Sequence, residues 1–143
     1  RRALGGGNRS LPRSGTVFLS VSNQLKVDFQ DVARALAALG FRLVATRGTA
    51  VHLRQAGLEV ETVWRISEGR QPDILGFMRS GDVDLVVNLP TGRRAQTDGA
   101  QMRRLAVELG IPFITTITGA RAAVEAIAEP DEGDVKPLGQ SPA

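Results

Sequence analysis

Two threonines three residues apart, Thr46 and Thr49, stand with Gly48 between them where the apolar run "FRLVAT" gives way to a helix-like pattern, in the stretch "ATRGTAVHL" from Ala45 to Leu53. Hydroxyls and unpaired backbone N–H groups meet at such a turn, and a helix dipole favours negative charge there, so these residue types at this spacing suit a bound phosphate. The other apolar runs end alike: Ser22, Asn23, Gln24 and Lys26 follow the first, Arg65, Ser67, Glu68, Gly69 and Arg70 the third. Asn88, Pro90, Thr91, Gly92, Arg93 and Arg94 follow the fourth, and Thr115, Thr116 and Thr118 the fifth. Cations and hydroxyls converging on one edge are what a phosphorylated small molecule needs, although any single threonine there also fits an ordinary helix cap.

Residues able to react with such a ligand are scarce. His52, the only histidine, falls inside the second helical pattern and reads as a helix-surface residue. No serine occupies a nucleophile elbow, and "LGGGN" follows no strand, so it fails the structural test for a dinucleotide or phosphate-binding loop. Asp82 and Asp84 precede the fourth strand, at the wrong end of a sheet for chemistry. Glu68 is the best-placed carboxylate for a general base, but Arg70 beside it would keep it ionised, and the two could equally pair within a rigid "SEGRQP" loop. Trp64 fits either the flank of a ligand or a core or interface position.

The elements that must position these residues alternate regularly. "TVFLSV" is a strand, and Phe29, Val32, Ala33, Leu36 and Leu39 recur at helical spacing until Gly40. The unit repeats: "FRLVAT" precedes a helix over about 49–55, "LEVETVW" one over 72–79, "VDLVVNL" one over 98–109, and "IPFITTI" precedes "GARAAVEAIA". Five β–α units predict a three-layer, doubly wound α/β fold around a five-stranded parallel sheet, Rossmann-like, with ligands beyond the carboxyl ends of the strands.

Composition narrows the classes. At 143 residues one domain is expected, and the absence of cysteine removes disulfide and thiolate chemistry and suits a cytoplasmic setting. A net charge of +3 with few aromatics argues against nucleic acid, and no 18-residue apolar run marks a membrane segment. Residues 1–14, rich in Gly, Arg and Ser, read as a linker; residues 15–129 as the domain; residues 130–143 as a polar tail. The first residue is Arg1, and both ends suggest a module from a longer polypeptide.

The runs "SGTVFLSV", "LGFRLVATRGTA", "ISEGRQPDI", "GDVDLVVNLPTGRR" and "DGAQMRRLAVELGIPFITTITGARAAVEAI", with Lys26 between the first two, resemble the C-terminal allosteric domain of the carbamoyl-phosphate synthase large subunit, from about Ser14 to Ile127. The resemblance implies a methylglyoxal-synthase-like fold serving as the regulatory end of a ligase that makes carbamoyl phosphate for pyrimidine and arginine synthesis. It implies an effector, UMP as inhibitor or IMP as activator. The partners it implies are the remaining domains of the large subunit and a glutaminase small subunit. No cofactor is implied for this domain; ATP and a divalent metal would belong to catalytic parts outside the chain. The family's phosphate-binding lysine falls on Lys26, its two threonines on Thr46 and Thr49, a second lysine on Arg65 and a ligand-binding asparagine on Asn88. A threonine of some members is Pro90 here, with Thr91 as its substitute. Gly48 completes the turn, and Ser22, Trp64 and Arg93 are candidates to flank the ligand. Trp64 is also similar to a feature of animal relatives, including those that bind N-acetylglutamate.

Two other readings use the same residues. Methylglyoxal synthase, similar in fold and threonine turn, eliminates phosphate from dihydroxyacetone phosphate with an aspartate base after the third strand; here Arg70 stands near that position, and an arginine cannot abstract a proton at neutral pH. Only Glu68 could take over that role. A ligand-free oligomerisation module, with self-association through apolar helix faces such as that of "GARAAVEAIA", is the third.

Overall fold

The computed structural model describes residues 11–90 and 93–129, the side chains of residues 67 and 93–97 excepted. Five parallel strands, β1 (Thr16–Val21), β2 (Arg42–Thr46), β3 (Glu61–Val63), β4 (Leu85–Leu89) and β5 (Phe113–Ile114), form one sheet in the order β3-β2-β1-β4-β5. The helices between and after them are α1 (Lys26–Ala38), α2 (Arg47–Gln55), α3 (Ile74–Arg79), α4 (Arg93–Leu109) and α5 (Ile117–Ala128). This is the expected doubly wound architecture. None of the helices among the described residues is long and apolar enough to cross a membrane.

The central strands have apolar residues on both faces because helices cover both. Val17, Leu19 and Val21 of β1 join Leu43, Ala45, Leu85 and Val87 in a core with Phe29, Val32 and Leu36 of α1, Leu53 of α2 and Ile127 of α5. The alternate residues Phe18, Val44 and Val86 face the other way and meet Ile74 and Met78 of α3 and Met102, Leu105 and Ala106 of α4. Each core buries enough methyl and ring surface to make slippage of a strand by one residue prohibitive, since that would exchange the two faces. Leu11, within the expected linker, packs against the first core; residues 1–10 and 130–143 lie outside the described residues.

Element boundaries differ from expectation where polar residues hide them. α2 starts at Arg47, two residues earlier than expected, because Thr46 takes the extended cap conformation (φ −65°, ψ 159°). α4 starts at Arg93 rather than near Asp98, its first turns lacking large apolar residues to mark them. α3 starts at Ile74 because Asp73 caps it, its side chain accepting from the Gly76 N–H at 2.9 Å. Strand pairing shrinks to three residues in β3 and two in β5, the sheet edges.

Because β2 and β4 flank β1 on opposite sides, the chain winds outward in two directions from the centre. A crevice opens at the carboxyl ends of strands where such a reversal occurs, here between β1 and β4. The opposite edge is closed by Asp84, whose Oδ2 accepts from the Thr16 N–H at 2.8 Å while its own N–H donates to the Thr16 C=O at 2.8 Å. Gly15 precedes this pair with φ 120°, and a Cβ on it would sit 2.1 Å from Asp84 Oδ2. Gly15→Ala should therefore destabilise the fold by about 2 kcal/mol or more, from strain and a displaced carboxylate together; an unchanged denaturation midpoint would contradict this account of the edge.

Candidate functional site

The crevice holds a cavity of about 170 Å³ bounded by the ends of β1, β2 and β4, the starts of α1 and α2, and one side of α4. Its polar floor is a row across the sheet. Ser20 of β1 is in register with Asn88 of β4, and the Thr46 hydroxyl of β2 lies 3.5 Å from Ser20 Oγ. All three stand on the α3/α4 face, one step beyond the apolar row Phe18, Val44 and Val86. Asn88 and Thr46 are buried, so their polarity costs stability unless partners or a ligand satisfy it.

The start of α2 closes one side. Asp73 caps α3, and Thr116 caps α5 by accepting from the Gly119 N–H at 2.9 Å. Thr46 holds the same position at α2 yet makes no side-chain cap, its hydroxyl being turned toward Ser20. The first N–H groups of α2 are thus left without that ordinary oxygen, and the helix dipole adds a partial positive charge. Lys26 supplies a full one. A 3-10 turn at Asn23–Leu25 brings Asn23 Oδ1 to 2.5 Å from Lys26 Nζ, and the ammonium rests so close to Gly48 that a Cβ there would lie 3.1 Å from it. A side chain at 48 would therefore push the lysine tip aside by a few tenths of an ångström.

Arg65 lines the cavity from the loop after β3, facing Lys26. Burial, and after it repulsion from Arg65, pushes the Lys26 ammonium below the usual lysine range. Ser22, at the end of β1, contributes a buried hydroxyl oxygen with no hydrogen-bond partner among the described residues. That hydroxyl lines the same cavity as the two cations and the uncapped helix start, where a polar group could satisfy it.

The sequence candidates divide accordingly. Ser22, Lys26, Thr46, Gly48, Thr49, Arg65 and Asn88 come together around the one cavity. Thr49, however, already uses its hydroxyl, which accepts from the Val21 N–H at 3.0 Å and donates to the Val21 C=O at 3.3 Å. It stitches α2 to β1, and its single proton would have to leave Val21 to reach a ligand. Thr91 lies outside the described residues, and Arg93 opens α4 without a described side chain. Trp64 does not line the cavity; the guanidiniums of Arg70 and Arg47 lie over its ring, at 4.1 and 5.6 Å from the centroid. Glu68 is absent from the lining as well and does not pair with Arg70 as its position in sequence suggests; its Oε2 lies 3.8 Å from Arg47 Nη2. His52 sits on a helix flank, 2.8 Å from the Gln30 amide.

Asp98 and Met102 of α4 line the cavity and were not expected there. They are one helical turn apart, so they share a face. That spacing was legible in "DGAQM", but only once the helix was known to start before Asp98. Gly99 between them permits the approach: a Cβ on it would meet Asn88 Nδ2 at 2.8 Å.

Residues 28–115 match the family model described as the MGS-like domain. The chain belongs to this family. It is 51% identical over 118 residues to the carbamoyl phosphate synthase large chain, C-terminal section, of Methanopyrus kandleri, covering 82% of this chain and 22% of that one. The corresponding section from Methanocaldococcus jannaschii is 46% identical over 128 residues, covering 90% and 21%, and the large chain of Archaeoglobus fulgidus is 48% identical over 118 residues, covering 82% and 11%. The chain thus spans about a fifth or less of the length of these relatives. In structure it is similar to methylglyoxal synthase from Elizabethkingia anophelis (TM-score 0.66, 21% identity, 84% of this chain and 81% of that one). It is also similar to ForH (TM-score 0.54, 22% identity, 78% of each). At those identities the two structures establish the MGS-like fold alone.

Two measurements check the site. Gly48→Ala should stabilise α2 by about 0.5–1 kcal/mol through helix propensity, yet weaken binding of inorganic phosphate by crowding Lys26; parallel changes in the two would refute the seat assigned to the lysine. Protonated Lys26 is the form that attracts an anion, and its proton leaves at lower pH than an ordinary lysine's. Affinity should therefore fall on the alkaline side before a free lysine would titrate, and binding there should take up protons, read from calorimetry in buffers of different ionisation enthalpy. Binding heats independent of the buffer across that range would exclude Lys26 from the contact.

Proposed function

We propose that the chain is the regulatory domain of a carbamoyl phosphate synthase large chain, acting in the cytoplasm. It binds a phosphorylated effector, UMP or IMP, at the carboxyl edge of the sheet and adjusts carbamoyl phosphate synthesis for pyrimidines and arginine. The observation that carries this reading is the Lys26 ammonium held against Gly48 over the uncapped start of α2 and faced by Arg65. Helix N–H groups, an ammonium and a guanidinium together offer a phosphate both charge and directed donors. Ser22, Asn88 and Thr46 add neutral groups that orient what the phosphate carries. The identities to carbamoyl phosphate synthase large chains support the setting.

The mechanism is linkage. An effector that binds more tightly when the rest of the large chain and its glutaminase subunit adopt one conformation shifts the population toward it, by no more than that difference in affinity. The domain needs no cofactor for this; ATP and divalent metal serve the catalytic parts. Isothermal titration with UMP and IMP tests the reading. Saturable binding of either, lost in Lys26→Ala, is the expected result, and no heat from either nucleotide would overturn it.

A second reading rests on Asp98, a carboxylate lining the same cavity as the two cations. Such a group could remove a C–H proton beside the carbonyl of dihydroxyacetone phosphate, and the resulting enediolate would expel phosphate. Arg70 and Glu68 do not line the cavity, so any base must be sought on α4 rather than after β3. Phosphate release from dihydroxyacetone phosphate that disappears in Asp98→Asn would favour this lyase reading; release at the buffer rate would remove it.

A further inference from the structure

Arg65 reaches the cavity from one edge of the sheet. β3 is three residues long and pairs only with β2, so strand pairing does little to aim the loop behind it. That loop is closed on itself. Glu68 Oε1 accepts from the Arg65 N–H at 2.8 Å, the Glu68 N–H donates to the Arg65 C=O at 3.1 Å, and Gly69, at φ 65°, donates its N–H to the Ile66 C=O at 3.1 Å. The same turn is tied outward: Glu68 Oε2 lies 3.8 Å from Arg47 Nη2, and the guanidiniums of Arg47 and Arg70 lie over the Trp64 ring at 5.6 and 4.1 Å. Arg47 opens α2, next to Gly48, on which Lys26 rests. The loop carrying Arg65 and the helix seating Lys26 therefore meet at one carboxylate and one indole.

Left to itself a guanidinium swings away from a second cation, because charge repulsion and side-chain entropy both favour the open rotamers. Arg65 nonetheless faces Lys26 across the cavity. We infer that Glu68 is a positioning residue: one oxygen shapes the turn that aims Arg65 at Lys26, the other ties that turn to Arg47, and Trp64 braces the junction. Glu68 is not itself part of the cavity lining and acts through Arg65. The inference rests on the anion-binding reading for its functional meaning, but the positioning itself is measurable without a ligand.

Charge and position make opposite demands, which separates them. Removing a carboxylate near an anion site strengthens anion binding if charge alone matters and weakens it if Arg65 loses its aim. In the full chain, Glu68→Ala should bind inorganic phosphate and UMP roughly three- to tenfold more weakly, whereas Glu68→Gln, which keeps an acceptor for the Arg65 N–H but loses the tie to Arg47, should bind more tightly than Glu68→Ala. Glu68→Ala binding as tightly as the parent would overturn the inference. Should Glu68→Ala fail to fold, Glu68→Asp preserves charge but falls short of the Arg65 N–H, so its affinity must drop; an unchanged affinity overturns the inference equally. Without ligand, the Lys26 ammonium followed by NMR should titrate at higher pH in the alanine or aspartate variant, since Arg65 no longer repels it. A titration unchanged or moved lower contradicts the positioning role. Were the parent to bind neither phosphate nor UMP, the anion-binding reading would fall and the Lys26 titration would decide the positioning by itself.

Discussion

Two cations and the open end of a helix share one small cavity, and most of the site's local structure serves to hold them there. Burial, and after it repulsion from Arg65, pulls the Lys26 ammonium below its usual range, and the open N–H groups of α2 bring further positive partial charge to the same cavity. Such an arrangement persists only if each group is fixed by something other than its neighbour. Lys26 is fixed by Asn23 and by the space Gly48 leaves, Arg65 by its own turn, and α2 by Thr49, whose hydroxyl clasps the end of β1. The site stores unfavourable electrostatic energy that an anion would release, which is what preorganisation for a phosphate means physically.

The sheet makes this possible by keeping its two cores independent of the edge. The apolar row on the α3/α4 face ends one step short of the crevice, where Ser20, Thr46 and Asn88 replace it across three adjacent strands, while the row on the other face runs on through Val21 and Leu89. The fold's stability comes from the rows below, so the polar row is free to be under-satisfied. Gly48 and Gly99 extend the same economy to the helices, leaving room for the Lys26 ammonium at the start of α2 and for the Asn88 amide against α4.

Much of this was legible in the sequence because it is local. Alternation of β-branched runs with helical periodicity foretold five β–α units, and the threonine turn with its cations foretold the edge on which Lys26, Thr46, Gly48 and Arg65 converge. What escaped was non-local. Nothing near Glu68 in sequence indicates that its partner is Arg47 from another element, and its neighbour Arg70 was the obvious but incorrect choice. Asp98 escaped because the polar opening of α4 carries no apolar period, so the helix seemed to begin where in fact it already faced the cavity. The uncapped state of Thr46 could not be read either, since Thr116 has the same residue type and position and does cap its helix.

The most direct test of the central claim is an amide-resolved NMR titration of the full chain with inorganic phosphate, the smallest probe of the charge arrangement itself. The account predicts that the largest saturable shifts fall on the first-turn amides of α2, at Arg47, Gly48 and Thr49, together with Ser22 and the Arg65 turn, while the opposite edge at Thr16 and Asp84 stays still. Shifts scattered over exposed arginines without saturation, or centred on that opposite edge, would show that the cluster of cations is not an anion site.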